Sequence, residues 1–357
     1  MTEMLGALRT LLFAPIGGKL LAVLSAVALM LAVYGVSNPP LVSHAVSPDG
    51  HSRDVDLYNA VVNKVASGEG YYAAATETNR AAGYPTKPSL TIRLPVLAWA
   101  LSFLPSNGWR LLVLQGLAMI ALLAFFSSLR PEDGNGVVLS ALVMTGLAVV
   151  GDPDAACFHE PWAAVFLILS LAARRHMTVS VVLALIAVLI REVALPFLVA
   201  MLIVRLLQRD YRATIAWASA IAVFALVLAV HLQIVAHYAL PSDHRSAGWV
   251  GMQGWPFVLK AVGFNNALIR AGYVATALVT PFALLGLMLW KTELGVICGL
   301  TAFLYVFAFL LIGRPDTSYW GVLLAPFLLT GLPALGRAWS RALGRFRSRQ
   351  PLPQSSG

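Results

Sequence analysis

Charge is what this sequence has least of. Only 11% of its 357 residues are Asp, Glu, Lys or Arg, against roughly a quarter in a soluble domain. With 59% of the residues hydrophobic, too few polar side chains remain to cover a core in water. Cysteine is scarce too. The two present, Cys157 and Cys298, have no metal-ligand spacing, and Cys298 lies inside an apolar run, so a disulfide scaffold is excluded. There is no glycine-rich phosphate loop, no His-Glu-x-x-His and no serine nucleophile elbow, which removes the usual supports for soluble nucleotide or hydrolase chemistry. No repeat of 20–50 residues is found, and the break at Arg191–Pro196 has no counterpart in the other half of the chain. An inverted-repeat transporter would be expected to show one.

What the chain does have is long apolar runs. They fall at about 19–36, 90–104, 109–129, 137–150, 162–173, 179–190, 193–207, 213–235, 273–290, 294–313 and 320–335. The runs are continuous rather than alternating, so they predict an all-α, polytopic transmembrane helical bundle of about ten spans. The first run lacks a cleavage site behind it and reads as a retained span. Residues 1–336 form one transmembrane domain in this reading, and 337–357 a disordered, basic cytoplasmic tail.

The net charge of +9 does not point to nucleic acid, because no aromatic-basic interleaving accompanies it. The bases gather in the tail, at Arg337, Arg341, Arg345, Arg347 and Arg349, and in short turns such as Arg174-Arg175-His176. That is the positive-inside pattern. It places both termini in the cytoplasm, with the tail near anionic lipid heads, in a cell inner (plasma) membrane. Most of the sixteen acids, among them Asp49 and the pairs discussed below, then face outward. Charge near lipid is costly unless it is paired or lines a wet cavity, so a cavity opening outward is expected. One conflict of parity arises. The first outer loop, 37–88, and the patch Gly151–Glu160 should share a side, yet three apolar segments separate them. The shortest, Leu90–Leu104, contains Arg93 and Pro95 and is the one expected not to cross.

The first outer loop carries Arg53-Asp54-Val55-Asp56-Leu57-Tyr58 and then Gly68-Glu69-Gly70-Tyr71-Tyr72. Helical spacing of Val55, Tyr58, Val62 and Val65 predicts a surface-lying helix from Asp54, whose acid favours a helix start. An acid followed by a tyrosine four residues on, behind a first span and ahead of a glycine and aromatics, resembles the membrane glycosyltransferases of the GT-C superfamily. The segments Arg93-Leu-Pro95, His159-Glu-Pro161, Arg191-Glu192 and Arg314 to Trp320 look like those of bacterial multi-pass relatives of these enzymes.

The resemblance implies transfer of a sugar from a polyprenyl-phosphate carrier to a glycan, lipid or protein acceptor at the outer face, in building the cell envelope. It makes Asp54, with Asp56 second, the base that takes the acceptor proton. Asp54 as a plain helix cap is the competing reading. Arg191 and Arg314 become phosphate ligands, since a planar guanidinium fork suits phosphate oxygens. Glu160 becomes an acceptor or metal ligand, and His159 a phosphate ligand. Tyr58, Arg93, Glu192, His244, Asp316 and Tyr319 complete the expected substrate-binding set. No cofactor is fixed, and a divalent metal is left open. The rival readings are a flippase or transporter of a lipid-linked saccharide and a non-catalytic assembly subunit.

Overall fold

The computed structural model describes residues 17–40 and 54–347. Asp49, Arg53, Arg349 and the last ten residues lie outside the described residues, as do the side chains of Arg345 and Arg347. Among the described residues the fold is all-helical. The only β pairings there are two isolated bridges, Lys87 with Arg245 and Val250 with Ile312.

The helices are α1 (Gly18–Ser37), α2 (Asp54–Ala66), α3 (Tyr71–Ala81), α4 (Val96–Ser102), α5 (Asn107–Ser128), α6 (Gly136–Leu147), α7 (His159–Ala172), α8 (Met177–Ile190), α9 (Leu195–Leu207), α10 (Tyr211–Tyr238), α11 (Gly254–Val262), α12 (Asn266–Leu289), α13 (Glu293–Leu311) and, after several short helical turns, α14 (Leu332–Arg347). Five of these, α1, α5, α10, α12 and α13, are long and apolar enough to cross a membrane, and the bent pair Asp316–Leu323 with Ala325–Gly344 makes a sixth if counted as one span. The other apolar runs are shorter as helices than the ~20 residues of a full span. They form α6, α7, α8 and α9, of 12, 14, 14 and 13 residues. Most of α7 is buried by neighbouring helices, so protein rather than lipid covers it.

The helix lengths bear on two sequence expectations. The segment Leu90–Leu104 yields only the seven-residue α4, about 10 Å of helix, which cannot cross a bilayer. Two longer helices, α5 and α6, then separate the first loop from the Gly151–Glu160 patch, and of these α5 is long enough to be a full span. The segment expected to be a disordered tail from 337 is helical as far as Arg347. Its apolar residues Leu335, Ala338 and Ala342 pack with α1 and α12, which offsets the ordering entropy that a purely polar tail could not.

The first-loop helix α2 forms as the pattern predicts, and α3 follows it. Asp54 and Asp56 occupy the first turn of α2 and Lys64 the last, each complementing the helix dipole. Leu57, Val61 and Val62 are the buried face. The helix stops where Gly68 takes φ +94°, a backbone state glycine enters without a Cβ clash, while the amides of Gly68 and Glu69 bond back to Val65 and Lys64. Between α8 and α9 the chain breaks at Arg191, which is extended (φ −145°). Pro196, at the start of α9, has no amide to continue the preceding helix and fits the first turn of a new one. The break therefore turns two backbone-polar helix ends toward the same end of the bundle as α2.

Candidate active site

A cavity of about 1050 Å³ opens at that end. Its walls come from distant parts of the chain: α2, α3, the loop before α4, the Arg191–Pro196 break, the loop before α11, and the α13 end with the turn after it. One part of the lining is apolar, including Val61, Val62, Leu97, Ala98 and Leu101. The other part carries the charged groups.

Asp54 is half-buried and faces the cavity. Tyr84 donates its hydroxyl to one carboxylate oxygen of Asp54 at 2.7 Å. Burial, then the hydrogen bond to Asp54, pushes the Tyr84 phenol up from its ordinary value. It therefore stays protonated and acts as a donor. Asp56 is exposed and is not part of the cavity lining, as expected for residues two apart on a helix.

Arg93 lies across the cavity wall and joins three elements. Its guanidinium donates to Glu192 at 3.2 Å and to the hydroxyls of Tyr58 and Tyr319 at 3.4 Å each. The Tyr71 hydroxyl donates to the Arg93 carbonyl at 2.6 Å. Aromatic rings pack the same wall: Tyr58 meets His159 edge-on with centroids 4.7 Å apart, and Phe158 meets Tyr319 at 5.2 Å. Behind this layer Arg191 is fully buried and donates to both Glu160 and Glu192. Its guanidinium lies 5.8 Å from the Trp320 ring centre. Arg93, Glu192, Arg191 and Glu160 thus alternate in sign, which is how buried charges are tolerated.

The rim is a second network. Arg80 donates to Asp243 at 2.6 Å and also to the carbonyl of Tyr238; Thr86 donates to the same carboxylate at 2.6 Å. The Arg80 hydrogen bond holds the Asp243 carboxyl well below the usual range. This ties the loop after α10 to the segment after α3. Arg314 closes the opposite side. It pairs with Asp316 at 2.8 Å, donates to the Ser246 hydroxyl at 2.8 Å and lies 5.6 Å from the Trp249 ring centre.

Of the residues singled out in the sequence, Asp54, Tyr58, Arg93, His159, Glu192, Arg314, Asp316 and Tyr319 share this one cavity. Glu160 and Arg191 stand behind its wall, bonded to each other, and neither lines the cavity, although one terminal nitrogen of Arg191 is buried without a hydrogen-bond partner. His244 is exposed and contributes its backbone carbonyl, which accepts from the amides of Thr86 and Lys87. Among the described residues no group of three His, Cys, Asp or Glu is placed to hold a metal ion.

Sequence reasoning missed Tyr84, the Arg80–Asp243–Thr86 clamp and Arg110. Arg110 is buried and fastens α5 to α2 through Asn59 and Asn63, at 3.4 and 3.2 Å. An arginine in the first turn of an apolar helix was a readable signal for Arg110. Nothing local marks Tyr84.

No family model matches the chain, and no curated protein does. Among solved structures the fold is similar to that of ArnT from Cupriavidus metallidurans bound to undecaprenyl phosphate. The identity is 15% and the TM-score 0.45, with 93% of this chain and 63% of that one covered. This chain therefore spans less than two thirds of that protein's length. The likeness is one of helical arrangement.

Proposed function

We propose that the protein is a membrane glycosyltransferase that moves a sugar from a polyprenyl-phosphate carrier to an acceptor hydroxyl, with the cavity open to the outer face. The observation that carries this reading is the state of Asp54. It is the cavity acid held by a neutral phenol, whereas Glu192, Glu160 and Asp316 are each neutralised by an arginine. A general base needs a free oxygen within reach of the proton it accepts. With one Asp54 oxygen fixed by Tyr84, the other can meet an acceptor hydroxyl.

The carrier phosphate falls to Arg93 and Arg314 rather than to Arg191. Both line the cavity, and the long bonds from Arg93 to two neutral phenols can be exchanged for phosphate oxygens. A guanidinium there stabilises the charge that develops on the departing phosphate. The apolar wall suits the carrier's isoprenoid units. His159, Tyr58 and Tyr319 serve as packing and hydrogen-bonding groups around the sugar. The acceptor is a hydroxyl-bearing glycan, lipid or protein.

The test is reconstitution of the full chain in liposomes with radiolabelled polyprenyl-phosphate sugars. Transfer that falls sharply in Asp54→Asn, with the variant unfolding as the parent does, supports the assignment. Undiminished transfer by Asp54→Asn removes Asp54 as the base.

A further inference from the structure

The loop before α11 has an unusual composition for a segment next to a charged cavity. No charged residue occurs between Arg245 and Lys260. Within it, Trp249 to Gln253 runs as a short ribbon along the end of α13. Gly251 and Gln253 donate their amides to the carbonyls of Leu311 and Leu310, at 3.0 and 3.2 Å, and Gly313 donates to Trp249 at 2.8 Å. Val250 and Ile312 form an antiparallel bridge.

Extended backbone sends alternate side chains to opposite faces. Trp249 lines the cavity beneath Arg314. Val250 and Met252 point the other way and are 87% and 89% exposed. Two large apolar side chains this bare on one loop are unfavourable in water and mark a contact surface.

The neighbouring helix indicates what covers them. On α13, Phe303, Phe307 and Leu311 are exposed large apolar residues four apart, so they form one stripe along a helix long and apolar enough to cross the membrane. That stripe runs into Ile312, which is exposed and also borders the cavity, and across the bridge to Val250. The exposed apolar surface of the helix and the bare face of the ribbon are continuous.

We propose that the ribbon Trp249–Gln253 is seated in membrane lipid, at the leaflet on the cavity's side, and forms the partition between cavity and bilayer. One face meets acyl chains through Val250 and Met252, and the other meets the cavity through Trp249. The inference is independent of the chemistry proposed above, since it concerns only what the ribbon touches.

Site-directed spin labelling of the full chain tests it. The two native cysteines are buried, each 1% exposed, so labels at Val250→Cys and Met252→Cys are read without background. Phe307→Cys supplies the lipid reference and the exposed Ser242→Cys the water reference. In nanodiscs of phosphatidylethanolamine and phosphatidylglycerol, the expected result is relaxation by oxygen over a nickel chelate in the ratio seen at position 307. A ratio equal to that at position 242 overturns the proposal. So does shielding from both reagents, which would mean that protein, from a second copy or another partner, covers the ribbon.

Discussion

A buried arginine meets each end of α7, Arg174 just past its last turn and Arg191, from the break between α8 and α9, at its first, and the two are used differently. At the far end Arg174, 3% exposed, donates to the Ser128 hydroxyl and carbonyl at 2.8 and 3.0 Å and to the Leu171 carbonyl at 3.3 Å. Its carboxylate partner, Asp133, is 3.5 Å away. This arginine satisfies the orphan carbonyls of a helix end and staples α5 to α7. At the near end Arg191 gives its donors to two carboxylates from different elements, and the second of them, Glu192, reaches on to Arg93 in the cavity. A pocket at the far end measures about 220 Å³ and is lined by ion-paired residues. The near end has a cavity nearly five times larger, a long apolar wall and the carboxylate of Asp54, which no arginine among the described residues pairs with. Buried charge therefore marks architecture at both ends. In the proposed function it is Asp54, facing the cavity and held by a phenol, that carries the chemistry.

The largest effect that tests the comparison is on folding. Arg191→Ala leaves the buried Glu160 without its partner and Glu192 with Arg93 alone, and breaking a buried pair costs about 3–5 kcal/mol. Arg174→Ala strands fewer charges, and its cost should be about 1–3 kcal/mol. Unfolding curves in mild detergent decide between them; equal losses would mean that the near-end network is only another staple.

The next effect separates stability from activity. Asp54→Asn should lower sugar transfer by about 10²–10⁴-fold, the usual weight of a general base, with stability changed by less than about 0.5 kcal/mol. Asp56→Asn, one helix face away, should leave transfer near the parent level. A smaller loss is expected for Tyr84→Phe. Removing a hydrogen bond to a charged group costs about 1.5–3 kcal/mol, so kcat should fall by roughly tenfold or more while KM holds. A rise in KM with kcat unchanged would assign Tyr84 to substrate binding instead.

The smallest effect is at the rim. The Asp243 carboxyl is held low by Arg80, so the ionised form is the one favoured by folding. The stability this contributes is present above the unfolded carboxyl value of about 3.9 and is lost as pH falls through the lower folded value. The stability difference between parent and Asp243→Asn should be flat from neutral pH down to about pH 4 and narrow below it. A difference that narrows between pH 5 and 7 would point to a histidine.

Much of this was legible along the chain. Continuous apolar runs specify helices whatever their neighbours, because a backbone in lipid must satisfy its own polar groups. The break at Arg191–Pro196 and the amphipathic α2 were equally local. The position of Asp54 at the start of α2 was legible because the acid-tyrosine spacing sits on one helix. Tyr84 was not, since its only mark is a tertiary hydrogen bond across thirty residues of sequence. The Arg80–Asp243 clamp was invisible for the same reason, spanning 163 residues.

The sequence by itself determined that this is a many-helix membrane protein with polar groups collected into a few loops and breaks. Hydrophobicity and helix periodicity are local properties, and one strand of text carries them. Only the tertiary structure decided which of those polar groups share a cavity. It turned Arg191 and Glu160 toward each other and left Asp54 and Arg93 lining the same cavity. That choice depends on how short helices such as α7 and α8 pack, and packing among apolar faces is set by shape complementarity that no single segment encodes.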